Sequence, residues 1–208
     1  MRALVPFAAE RPKTRLADVL TGAERRAFAD AMLTDVLAAL RAADFSPHLL
    51  ATETAGQDVP TTVDDRPLTD AVNDALAEHE QTTADEPLAV VMADLALATP
   101  DSLARLRAPG DVVIAPGRGG GTNALVVRHP AFRVDYHGAS YLDHLRAARD
   151  VGASVREVDS RRLATDVDEP GDLGEVLTHG DGAARDWLVD AGFELEGTDG
   201  RVGVSRTG

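Results

Sequence analysis

Three aspartates in this chain stand where a divalent metal would need oxygen ligands. Asp94 follows Leu88-Ala-Val-Val-Met-Ala93, a continuous apolar run of the kind that lies buried on both faces of a parallel sheet. In open α/β sheets ligands bind beyond the carboxyl ends of strands. A carboxylate there suits Mg2+, which takes oxygen ligands and typically only one or two protein carboxylates. Asp166 and Asp168 flank Val167, so in an extended segment both carboxylates face one way while the valine packs behind them. Two like charges so close are unfavourable unless a cation lies between them. Each signal is weak alone, because the chain is rich in aspartate and a strand-end Asp is ordinarily a turn residue.

Other residues give these carboxylates possible companions. The segment Arg11-Pro-Lys-Thr-Arg15 directly follows the first strand-like run and puts three cations within five residues. In so acidic a chain this points to a polyanion site, a triphosphate being the natural candidate because Lys and Arg can neutralise charge on a leaving pyrophosphate. The alternative is a solvated loop paired with neighbouring aspartates. Lys13 favours the site: it is the only lysine, every other basic residue being arginine, and an ammonium does what a planar guanidinium does not. Gly117-Arg-Gly-Gly-Gly-Thr-Asn123 could let backbone amides approach an anion, with the Thr122 hydroxyl as a further donor. It fits neither a dinucleotide fingerprint nor a Walker loop, and its alternative is a flexible hairpin turn. Gly138 offers close approach again, and Ser140 is expected to cap a helix whose N-terminus favours anions. His144, one turn into that helix, has a suggestive position, although such histidines are more often structural. No Ser/His/Asp triad can be argued from spacing.

The elements that must hold these residues alternate between strand and helix patterns, which predicts a mainly parallel sheet covered by helices. Strands are expected over residues 3–7, 48–52, 88–93, 111–115, 123–128 and 154–159. Helices are expected over about 21–43, 68–80, 140–151, 171–177 and 183–191. Thr21-Gly-Ala-Glu24 reads as a capping box, and Thr99-Pro100-Asp101 as a helix start with a capping hydroxyl and proline at the first position. Residues 53–66 read as a polar connection, and the pattern weakens from Gly180 onward. With no repeat or linker visible, one domain over residues 1–208 is expected.

Composition narrows the setting. There are 35 acidic and 21 basic residues, a formal charge of −14, with 24 Asp against 11 Glu and 20 Arg against one Lys. An Asp-rich, Lys-poor surface suits high salt, where ions screen self-repulsion, and repels nucleic acid. No segment is long and apolar enough to span a membrane, nothing at the start resembles a signal peptide, and there is no cysteine for disulfides or thiolate metal sites. A cytoplasmic protein is expected.

Taken in order, Pro6-Phe7, Pro12-Lys-Thr-Arg-Leu16, Val91-Met-Ala-Asp94-Leu, Ile114-Ala-Pro-Gly-Arg-Gly-Gly-Gly-Thr-Asn123, Gly138-Ala-Ser140 with His144, and Asp166-Val-Asp168-Glu-Pro-Gly-Asp172-Leu173 form a specific set. Over about the first 180 residues the chain resembles the 2-phospho-L-lactate guanylyltransferase (CofC) family of coenzyme F-420 biosynthesis. The resemblance implies a three-layer α/β/α nucleotidyltransferase fold. It also implies transfer of GMP from GTP to 2-phospho-L-lactate, with Mg2+ or Mn2+ held by Asp94, Asp166 and Asp168. Lys13, helped by Arg15, would meet the triphosphate; Thr122, Gly138 and Ser140 would cradle the acceptor phosphate; and the enzyme would be a homodimer. Ala96 departs from a proline common in the family, which bears on the local turn. Other acceptors such as phosphoenolpyruvate or a sugar phosphate, a non-catalytic nucleotide-binding protein, and a glycosyltransferase using Asp166 and Asp168 are the competing readings.

Overall fold

The computed structural model describes residues 1–8, 13–54, 56–83, 86–198 and 201–207, so Arg11 and Pro12 of the basic loop lie outside the described residues. Strands β1 (Arg2–Phe7), β2 (Ser46–Ala51), β3 (Thr61–Val63), β4 (Leu88–Val91), β5 (Val112–Pro116), β6 (Thr122–Val127) and β7 (Val155–Glu157) make one sheet in the order β3-β2-β1-β4-β6-β5-β7. β6 runs antiparallel to β4 and β5, and every other pair is parallel. The sheet is mixed and mainly parallel, as the alternating pattern led us to expect. Because β6 runs backwards, its first residues lie at the same end of the sheet as the carboxyl ends of β1, β4 and β5. That end gathers Lys13, Asp94 and Thr122.

Strand side chains alternate between two cores, which explains why the central strands read as unbroken apolar runs. On one face Val5, Val91, Val113 and Val126 meet α1 (Gly22–Ala42) through Phe28, Met32, Val36 and Leu40. On the other, Leu4, Val90, Ile114 and Leu125 meet α2 (Leu68–Thr83) through Val72 and Leu76, and α4 (Ser140–Asp150) through Ala148. Three short helices, α3 (Pro100–Ala104), α5 (Arg161–Ala164) and α6 (Leu173–His179), join α7 (Ala183–Asp190) on the α1 face. The starts of α1 and α3 are fixed locally, by the reciprocal bonds of Thr21 with Glu24 and of Thr99 with Ser102.

Three strands differ from the sequence reading. β3 lies within the stretch read as a polar connection; it is three residues long, polar, and pairs only with β2 at the sheet edge, so it carries little apolar signal. β8 (Phe193–Thr198) and β9 (Arg201–Arg206) form a separate two-stranded hairpin in the region read as weakly patterned. The start of α7 is set from far away: Asp35 on α1 accepts hydrogen bonds from the amides of Ala183 at 2.7 Å and Ala184 at 2.9 Å.

Candidate active site

The chain leaves β1 and reaches Lys13 in the left-handed backbone region, with φ 55° and ψ 48°, before a short 3-10 turn at Thr14–Leu16 whose Leu16 is fully buried. This conformation costs an L-residue about 1–2 kcal/mol, and strain of that kind concentrates at functional sites. Leu16 anchors the turn, and the lysine side chain extends inward. Its Nζ lies 2.6 Å from Asp94 Oδ2 and 2.7 Å from Asp168 Oδ1. Exposure of the three side chains rises from 10% for Lys13 through 24% for Asp94 to 40% for Asp168, so the bridge runs from the interior to solvent. Burial works against the charge on Lys13, yet its contacts with Asp94 and Asp168 hold its pKa above the ordinary value. Burial pushes the Asp94 carboxyl up, with Lys13 opposing that shift. Arg15 lies at the rim, 68% exposed and 3.9 Å from Asp168.

Backbone contacts bring the acidic segment to Asp94. The Val167 amide donates to the Asp94 carbonyl at 3.2 Å, and the buried Val167 side chain packs into the core. Asp172 ties down the two residues after Val167: its Oδ2 accepts from the amides of Asp168 at 3.1 Å and Glu169 at 2.9 Å. Its Oδ1 receives the Arg118 guanidinium at 2.7 Å, which links the acidic segment to the glycine loop. Asp166 is placed differently from Asp168. Its Oδ1 accepts from the Asn123 amide at 3.0 Å instead of from Lys13, while its charge still acts on Asp94.

Asn123 is the functional residue that sequence reasoning passed over. A β-bulge makes this possible: Ala115 pairs with Ala124 and Pro116 with Thr122, leaving Asn123 without a partner in β5. The bulge breaks the alternation of the strand, so that Asn123 faces the α1 side together with Ala124 while Thr122 faces α4. Asn123 reaches the Leu163 carbonyl at 2.9 Å and Asp166, while Thr122 reaches His144 at 2.8 Å. The available signal was a polar pair at the head of an otherwise apolar strand. Gly117 makes room for this arrangement, since a Cβ there would lie 2.5 Å from Asn123 Oδ1. The loop also needs glycine at position 120, where φ is 84°.

The second group lies one strand away from Asp94. Thr122, Ser140 and His144 are all buried. The expected cap at Ser140 is not formed: Ala139 is the N-cap of α4 and makes no side-chain bond there. Ser140 sits inside the helix, and its Oγ accepts from the Thr122 amide at 3.0 Å, so tertiary pairing has taken the hydroxyl away from the helix end. Gly138, with φ 56°, borders open space. His144 accepts from the Asp135 amide at Nε2, 3.0 Å away, and burial lowers its pKa to about 4.

A pocket of about 610 Å³ opens over the Lys13 bridge, lined by Pro6, Phe7, Met32, Met92, Asp94 and Asp168. Across Pro6, Phe7 and Met92 it adjoins another of about 630 Å³ bordered by Leu50, Asp64, Arg66 and Leu68. A cavity between Leu76, His79 and Phe132 lies at the opposite end of the sheet and holds none of these groups. Among the described residues no cluster of three or more His, Asp or Glu side chains is gathered as a ready-made metal site. One buried atom, Asp94 Oδ1, has no hydrogen-bond partner there. An orphaned buried carboxylate oxygen is costly, and a cation or a ligand donor would relieve it. Oxygen donors of this kind suit Mg2+ or Mn2+.

Comparison with known proteins supports a common origin over the whole length. Residues 1–207 match the family model described as "Guanylyl transferase CofC like". A 2-phospho-L-lactate guanylyltransferase of Halomicrobium mukohataei is 63% identical over 207 residues, covering 99% of this chain and 100% of that protein. Its namesake in Haloferax volcanii is 59% identical, over 99% of this chain and 98% of its own length, and that of Methanoregula boonei 48%, over 98% and 94%. The relatives come mostly from halophilic archaea, the setting the composition led us to expect. A protein of Desulfovibrio desulfuricans G20, solved as a candidate nucleotide-diphospho-sugar transferase, superposes with TM-score 0.73 at 16% identity, over 91% of this chain and 94% of that one. The bifunctional IspDF of Campylobacter jejuni gives 0.57 at 11% identity, over 94% and 56%. At these identities the likeness is one of fold.

Two outcomes are expected from the geometry. Gly117→Ala should displace Asn123 and leave the Leu163 carbonyl without its partner, lowering stability in urea by about 1–3 kcal/mol. Gly119→Ala, with no atom near its Cβ position, should change stability by less than about 0.5 kcal/mol; equal effects would contradict the role given to Asn123. Because His144 is held neutral, stability is full above its unfolded pKa of 6.5 and is lost as pH falls toward about 4. Relative to His144→Gln, the wild type should therefore lose about 3 kcal/mol of unfolding free energy over that window. Parallel pH profiles for the two proteins would contradict the neutral assignment.

Proposed function

Because this chain belongs to the CofC-like guanylyl transferase family, we propose that it transfers GMP from GTP to 2-phospho-L-lactate. An oxygen of the acceptor phosphate forms a bond to the α-phosphorus of GTP, and the bond from that phosphorus to the bridging oxygen breaks. The products are lactyl-2-diphospho-5′-guanosine and pyrophosphate. The acceptor phosphate is anionic at neutral pH, so it attacks without a strong general base. The protein's task is to bring two polyanions together and to neutralise the charge that develops on the leaving group.

The observation that carries this reading is Lys13 held between Asp94 and Asp168 at the mouth of the pocket beyond β1 and β4. An ammonium placed there is within reach of a triphosphate entering that pocket, and Arg15 at the rim adds a second cation. Asp94 and Asp168 would hold Mg2+ or Mn2+, with Asp166 beside them steadied by Asn123; the orphaned Asp94 Oδ1 is the donor that fits such an ion. Such a metal supplies charge neutralisation for the triphosphate and the leaving pyrophosphate. Lys13 fills the place between the carboxylates, so its release toward the phosphates and the arrival of a metal would go together. Thr122, Ser140 and Gly138, one strand from Asp94, are the acceptor side of the site. A cytoplasmic homodimer belongs to the same reading on the family resemblance alone; among the described residues no helix is long and apolar enough to cross a membrane.

The test is pyrophosphate release in high salt with Mg2+, crossing each nucleoside triphosphate with phospholactate, phosphoenolpyruvate and phosphoglycerate. Turnover should be greatest with GTP and phospholactate, and Asp94→Asn should lower it by about 100-fold or more, the scale on which loss of one electrostatic group acts in a transition state, while circular dichroism stays unchanged. No turnover with any pair, or wild-type activity in Asp94→Asn, would refute the proposal.

A further inference from the structure

We infer that His144 is a positioning residue that presets the Thr122 hydroxyl as a donor to the phosphate of the acceptor acid; the assignment rests on the acceptor site proposed above. The histidine is wholly buried, with its ring edge-on to Tyr136 at 5.0 Å and tilted against Phe132 at 6.0 Å, so its plane is fixed. The Asp135 amide donates to Nε2. A nitrogen that accepts this bond carries no proton, so in the neutral ring the proton sits on Nδ1. Nδ1–H then donates to Thr122 Oγ1 at 2.8 Å.

The consequence falls on the threonine. With Oγ1 accepting from the histidine, the Thr122 hydroxyl proton cannot point back at the ring and must be directed elsewhere. Ser140 is set in the same sense, because its Oγ accepts from the Thr122 amide and its own proton is left for another acceptor. Two hydroxyls that would otherwise choose between donating and accepting are thereby committed to donating, as recognition of a phosphate requires. His144 also ties together the parts that must stay in register: the head of β6 through Thr122, the first turns of α4 on which it stands, and the segment at Asp135 that leads to Gly138. A protonated imidazole would lose this order, since Nε2–H would face the Asp135 amide donor to donor. The low proton affinity of the buried ring suits the role.

Substitutions separate this role from simple packing. His144→Asn places an amide donor where Nδ1–H stands, His144→Gln places an acceptor where Nε2 stands, and His144→Leu keeps only volume. His144→Leu and His144→Gln should raise KM for phospholactate about 10-fold or more, the range of a weakened hydrogen bond to a charged group. KM for GTP should stay within about 3-fold in both. His144→Asn should restore the phospholactate KM to within about 3-fold of wild type. An unchanged phospholactate KM in His144→Leu, or equal impairment of His144→Asn and His144→Gln, would overturn the inference. Nitrogen NMR of the wild-type ring gives a readout independent of turnover. A proton on Nδ1 is expected and a proton on Nε2 would overturn the inference, whereas absence of turnover with every phospho-acid would refute the proposed function instead.

Discussion

A single ammonium group between two carboxylates is the constraint around which this end of the molecule is arranged. Asp94 and Asp168 both lie within hydrogen-bond distance of Lys13. Two carboxylates this close in a partly buried setting repel strongly unless a positive charge lies between them. The chain supplies that charge from the one lysine it contains, on a backbone conformation that lysine seldom adopts. An arginine fork would bring a planar group and five donors to a place that has two inward-facing oxygens, whereas an ammonium fits as a compact charge. The pair of carboxylates, the lysine and the pocket above them form one electrostatic unit.

The rest of the sheet end holds that unit and the group of Thr122 and Ser140 at a fixed separation. β4 and β6 are neighbouring strands, about 5 Å apart, and the Met92 amide donates to the Asn123 carbonyl between them. The bulge turns Asn123 to the side of Asp166, while Thr122 faces His144 on the other. Asp172 completes the frame by joining Arg118 on the glycine loop to the amides that carry Asp168. Most of these links are hydrogen bonds between segments distant in sequence, which hold the site without a covalent scaffold. His144 extends the same logic to the Thr122 hydroxyl, beside that of Ser140.

What could be read from the sequence was what local physics decides. The capping box at Thr21, the capped helix start at Thr99, the doubly buried strand that leads to Asp94 and the mainly parallel sheet all arise from patterns within a few residues, and the structure has them. The lone lysine in an arginine-rich chain marked Lys13 without any geometry. What escaped depends on distant partners. Ser140 looks like a helix cap by type and place, but the Thr122 amide claims its hydroxyl. Asp35 caps α7 from 148 residues away, and nothing near either segment announces it. Asp166 and Asp168 share a face by spacing, yet one answers to Asn123 and the other to Lys13, a division set by the bulge in β6. The edge strand β3 and the hairpin of β8 and β9 were too short or too polar to stand out from connecting segments.

Lys13 lies between Asp94 and Asp168, and under the proposed function a divalent metal would take that place when the triphosphate draws the lysine away. The most direct measurement is the affinity of nucleotide-free protein for Mn2+, monitored by electron paramagnetic resonance in wild type and in Lys13→Met at the same salt concentration. Removing a positive charge from within hydrogen-bond distance of both carboxylates should tighten Mn2+ binding about 10-fold or more. Equal or weaker binding by Lys13→Met would show that the lysine does not stand in for the metal, and would contradict the account.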